Sequence, residues 1–253
     1  MPRWRLRAFL LARRGAGMVA TYRIAALLLV GLAPAASLAQ PPELIAAVEK
    51  IAAAEPAPTP AEIVPQALEL LRNRAKSDGK CSPRSVSVGG PASALLTLIV
   101  TQRMVAREIR NAWTVDVRPE GCPDRRPARL IVYRQSAGTL DVQFMAFGEG
   151  IALPVERNIF LVVAGAAYAK LASAKGGCAV DKLRFESTRI ASRSADLGPD
   201  VHGTRFKGTW SEIWTFRGCG REVEAPVTFV TDGLGGLSWS ADYRQVRFVG
   251  KGS

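Results

Sequence analysis

The chain has 253 residues, 48% of them hydrophobic, with 34 Lys and Arg against 22 Asp and Glu, a formal net charge of +12 and a single histidine. One histidine excludes a multi-histidine metal site, and any Ser-His-Asp or Cys-His arrangement would have to use that one residue, His202. No basic run interleaved with aromatic residues argues for nucleic acid.

The N-terminus reads as a leader. Residues 1–23 carry six Arg and no acid, followed by the apolar run "IAALLLVGLAPAA" and then "SLAQ". A basic segment, a short apolar segment and small residues at Ser37 and Ala39 are the layout of a secretory signal peptide over residues 1–39, with cleavage after Ala39. The run is shorter than the roughly 20 residues a spanning helix needs, and Pro34 interrupts it, so no transmembrane span is expected in the mature chain. Met18 also opens a complete, shorter leader. No cysteine lies near the cleavage site, which argues against a lipid-anchored lipoprotein. Six of the 34 basic residues belong to the leader, which leaves 28 against 22 acids, a charge of +6 on a periplasmic or secreted chain.

Residues 40–58 read as a linker with a short helix around Glu43 to Ala54 and an extended Ala-Pro end. In "TPAEIVPQALELLRNRAKSDGK", Thr59, Pro60 and Glu62 resemble a capping box. Pro65 lacks the amide that a helix interior needs, which places the stable helix start there. Leu68, Leu71 and Ala75 share a face, and Gly79 is placed to end the helix. Beyond it, "RLIVYRQSAGTLDVQF" reads as strand, turn and strand. Then comes "ERNIFLVVAGAAYAKLASAKGG", uncharged from Ile159 to Ala169, which predicts a buried helix that joins two modules and ends at Gly176 and Gly177. Leu183 and Phe185 alternate with polar residues, as do Trp210, Glu212 and Trp214. "PVTFVTDGLGGLSWSA" is a second hairpin, and "YRQVRFV" supplies a last strand.

The four cysteines organise these elements. Cys81 and Cys122 lie 41 residues apart, as do Cys178 and Cys219, and an offset of 97 relates the pairs. The same offset, without a gap, carries Trp113 onto Trp210, Gly79 onto Gly176, Gly121 onto Gly218, Gly138 onto Gly235 and Leu140 onto Leu237. The reading is a duplication, with module 1 at 59–150 and module 2 at 151–253. Each would be a two-layer α+β unit of a helix followed by an antiparallel sheet of about four strands, stapled by Cys81–Cys122 or Cys178–Cys219. Neither spacing suits a zinc site, and no cofactor or metal motif is present. The Trp of each copy is expected against the helix or the disulfide.

Chemistry is sparse. No G-x-S-x-G elbow occurs, His202 in "LGPDVHG" reads as an exposed turn residue, and "TDGLGGLS" lies at a hairpin turn rather than at a phosphate-binding strand-to-helix junction. The candidate ligand-binding residues are Trp210, Glu212 and Trp214, because Trp214 and Trp239 have only Val117 and Val142 as counterparts. Glu212 between two Trp could act as an acid, with Asp232 or Glu224 as partner, as in a sugar-cleaving site. The first copy has Val115 at the equivalent place.

The residues Trp210, Glu212, Trp214, Cys219, Gly220, Val227, Phe229, Asp232, Gly235 and Gly236 form a pattern that resembles one in small exported bacterial proteins of unknown function. That resemblance covers about the last quarter of the chain and implies export without an activity. The first copy departs from it at Val115, Val117 and Pro123. The expectation is a non-enzymatic periplasmic protein that binds an envelope partner (a protein, glycan or lipid headgroup). The alternative is a cell-wall glycan hydrolase using Glu212.

Overall fold

In the computed structural model, the described residues are 42–250 except 125 and 153–156. The leader expected at 1–39 lies outside them. Helix α1 (Pro42–Ala54) occupies the short-helix segment of the linker. Helix α2 (Pro60–Ser77) opens on Thr59, whose amide donates to Glu62 Oε2 at 2.8 Å and whose hydroxyl donates to the same oxygen at 3.0 Å. The start expected at Pro65 is therefore corrected. Pro60 begins the helix, and Pro65 is tolerated in its second turn, where only one early carbonyl loses its donor. Ile63, Ala67, Leu71 and Ala75 make the buried stripe at four-residue spacing, and Gly79, at φ +63°, ends the helix.

Two antiparallel sheets follow. The first contains β1 (Ser85–Val88), β2 (Ala92–Ser93), β3 (Ile109–Glu120), β4 (Ala128–Gln135) and β5 (Leu140–Phe147) in the order β1-β3-β4-β5, with β2 also on β3. The short helix α3 (Leu98–Val105) is inserted between β2 and β3. Helix α4 (Arg157–Ala172) leads into the second sheet of β6 (Arg184–Arg193), β7 (Thr209–Gly218), β8 (Arg221–Thr231), β9 (Leu237–Ser240) and β10 (Arg247–Phe248). There β7 lies between β6 and β8, and β8 carries both β9 and β10. Cys81–Cys122 and Cys178–Cys219 are bonded, each closing the chain from before its sheet to the end of the long strand. Among the described residues, no helix is long and apolar enough to cross a membrane.

The two sheets are covered differently. One face of the first packs Val115, Val117, Leu130 and Val132 against α2. The other packs Ala112, Ile131 and Tyr133 against Val48 of α1 and Val100 of α3. This sheet is therefore the middle of three layers, where two were expected. Burial on both faces explains the unbroken apolar run "LIVY" in β4. The second sheet has one covered face, where Trp210, Trp214, Phe216, Val223, Val227 and Phe229 meet Ile159, Val163, Ala167 and Leu171 of α4.

Helix α4 does not join the sheets, contrary to its apolar sequence. It packs on β7, β8 and the turn Tyr243–Gln245, all belonging to the second sheet, and leaves Leu161 and Val162 exposed. The junction is made elsewhere. Gly148, just past β5, bridges Thr188 of β6 in parallel, and Glu149 N donates to Thr188 O at 3.1 Å. Buried Glu186 of β6 takes Lys80 at 2.7 Å, with Arg217 at 3.9 Å and Arg126 at 4.0 Å. Arg74 of α2 donates to Phe185 O at 2.8 Å. At the far end, Leu96 N donates to His202 O at 2.9 Å.

Candidate functional site

Period-two alternation on β7 brings Trp210, Glu212 and Trp214 to one face, the covered one. All three are buried. Trp210 Nε1 donates to Glu212 Oε1 at 3.1 Å, and Trp214 Nε1 donates to Oε2 at 2.9 Å. The backbone amides of Ile151 and Ala152 donate to Oε1 at 2.5 and 2.7 Å. Glu212 thus ties the chain leaving the first sheet to the strand at the centre of the second. Burial pushes its carboxyl above the ordinary value, and the four N–H donors pull against that shift.

The residues offered as acid partners lie elsewhere. Glu224 stands opposite Thr215, on the face away from Glu212, and binds Arg189 and Arg247. Asp232 closes the β8–β9 turn by accepting from Leu234 N and Gly236 N at 2.7 and 2.8 Å. Trp210 lies on the face that α4 covers, as expected for the Trp of this copy, and stacks on Phe229 with centroids 5.1 Å apart, while Trp214 lies against Phe185 and Phe229. His202 is not an exposed turn residue. It is partly buried at φ +51°, with Nδ1 2.8 Å from Ser93 Oγ. Among the described residues, no group of His, Cys, Asp and Glu could hold a metal.

Where the two sheets meet, a cleft of about 340 Å³ opens. Its apolar wall includes Leu96, Leu98, Ile151, Trp210 and Leu237; Thr97, Asp200 and Arg205 add polar groups. Of the three candidates, only Trp210 lines it. The close approach of its walls depends on Gly203, at φ +86°, where a Cβ would lie 2.7 Å from Thr97 Cγ2. Arg205 Nη1 donates to Gly198 O, while its Nε is buried without a hydrogen-bond partner. Asp200 accepts from Gly203 N at 2.9 Å. Sequence reading missed the stretch Leu96–Thr101 and Arg205. The only local signal was Thr97 ahead of the apolar "LIV", an N-cap residue before a short helix. Comparison with protein-family models, with curated proteins and with solved structures gives no match for this chain.

Proposed function

We propose that the protein is an exported, non-enzymatic envelope protein that binds a small amphipathic ligand in the cleft between its two sheets. The observation that carries this reading is the cleft itself, concave and mostly apolar with a few polar groups, as small-molecule sites are. An apolar body would lie against Trp210, Leu237 and Ile151, and a polar or anionic end would meet Arg205. The buried, fully hydrogen-bonded state of Glu212 supports a structural role for that residue over the acid of a glycan hydrolase.

The test is thermal unfolding of the oxidised protein against monomeric envelope amphiphiles, muropeptides and acidic saccharides. A ligand at a hundred times its Kd stabilises by about 2.7 kcal/mol. The reading expects a shift from an anionic amphiphile that Arg205→Gln and Leu237→Trp remove. A shift produced only by saccharides and abolished by Glu212→Gln would replace it with the glycan reading. No shift from any ligand would refute the cleft as a small-molecule site.

A further inference from the structure

Helix α4 is uncharged from Ile159 to Ala169, yet only one of its faces is covered. Leu161 and Val162 are 58% and 54% exposed, and Gly165 and Ala169 are exposed beside them. At 3.6 residues per turn these four fall within a sector of about 100°, over a length of about 12 Å. This is an apolar face that the second sheet leaves unused. On the flank of this face, about 80° round the helix from Val162, Lys170 Nζ lies 5.6 Å from the Phe248 ring, and α4 touches the turn Tyr243–Gln245. Tyr243, Phe248 and Val249 there are exposed.

Cations outnumber acids beside this face. From Arg157 to Val180 the sequence has no Asp or Glu, and Lys170 and Lys175 lie at the C-terminal end of α4. Arg244 and Arg247 border the exposed aromatic residues. Of the nearby acids, Asp242 accepts from Arg244 N and Gln245 Nε2, and Glu224 is shared between Arg189 and Arg247. An apolar helix face bordered by cations matches an anionic lipid surface, where acyl chains take the apolar side chains and headgroups take the ammonium and guanidinium groups. A second copy of the chain fits less well, because a two-fold contact through α4 would set the same cations against each other.

We infer that the outer face of α4, with Tyr243 and Phe248 beside it, docks the protein on an anionic membrane surface. The docking does not depend on the cleft. The experiment is co-sedimentation of residues 40–253, which fall within the compact unit Leu38–Ser253, with two kinds of vesicle. One is pure phosphatidylcholine, and the other is phosphatidylcholine and phosphatidylglycerol in a two-to-one ratio. The protein should sediment with the anionic vesicles only and be released by high salt. Leu161→Asp with Val162→Asp should weaken partition at least about tenfold. Both sites are exposed, so the unfolding temperature should stay unchanged. Val105→Asp, at an equally apolar but remote exposed position, should leave partition as it was.

Three results would overturn the inference. One is no binding to either vesicle. Another is binding that the α4 pair leaves intact. The last is a concentration-dependent dimer in solution that the same pair dissociates, which would assign the face to a second copy. Ligand binding in the cleft, read by thermal unfolding without vesicles, would survive all of them.

Discussion

Glu212→Gln tests the account of the buried carboxylate most directly, because the substitution keeps shape and removes acceptor capacity. Oε1 accepts three N–H groups, from Ile151, Ala152 and Trp210, while Oε2 accepts one, from Trp214. In the better amide orientation, the oxygen keeps the three donors and the new NH2 faces Trp214 Nε1. Two donors then meet in a site with no solvent exposure, and the Trp214 N–H loses its partner. An unsatisfied buried polar group costs about 1–3 kcal/mol. For a chain of this size that corresponds to a fall in unfolding temperature of roughly 2–12 °C. The assay is chemical and thermal denaturation of the oxidised protein, with Glu224→Gln as the comparison, because a partly exposed ion pair is worth about 1 kcal/mol or less. If Glu212→Gln unfolds within about 0.5 kcal/mol of the native protein, the four-donor anchor is wrong.

The same site makes a pH prediction. Because burial raises the native pKa of Glu212 above its ordinary 4.5, the native state favours the protonated form. Its contribution is full below the ordinary value and is lost as pH climbs from there to the raised native value, and Glu212→Gln should flatten that part of the stability profile. Gly148→Ala should destabilise by more than about 3 kcal/mol, since its Cβ would lie 1.8 Å from Thr188 O at φ +100°; denaturant titration reads the loss. Glu186→Ala would remove the buried acceptor of Lys80, whose ammonium stays partly exposed, and should cost about 1.5–3 kcal/mol by denaturant titration. Reducing both disulfides, each closing 41 residues, should cost about 3–4 kcal/mol apiece, read as the change in denaturation midpoint with and without reductant.

The sequence by itself determined the local and the covalent. The spacing of Thr59, Pro60 and Glu62 marked the capping box, because a cap needs only neighbours, although Pro65 drew the expected start of α2 five residues too late. Apolar runs on either side of the turns at Gly138 and Gly235 marked the hairpins. The matched separations of Cys81 to Cys122 and Cys178 to Cys219 pointed to the pairing that the two disulfides have. The alternation of Trp210, Glu212 and Trp214 placed all three on one face.

Tertiary structure decided whatever depends on what lies across a face. A helix uncharged over a run such as Ile159 to Ala169 of α4 is compatible with burial on every side or on one, and only its packing on the second sheet shows that Leu161 and Val162 are left outside. "LIVY" in β4 could be half or fully buried until α1, α2 and α3 cover the two faces. Glu212 had the composition of an acid in an aromatic site. Its donors from Ile151 and Ala152, some 60 positions away, turn it into an anchor for the connecting chain. The cleft draws its walls from Leu96, Arg205 and Leu237, segments remote in sequence, so no local pattern could mark it. Local hydrogen bonds and covalent spacings are written in consecutive residues, whereas burial and cavities belong to the assembled chain.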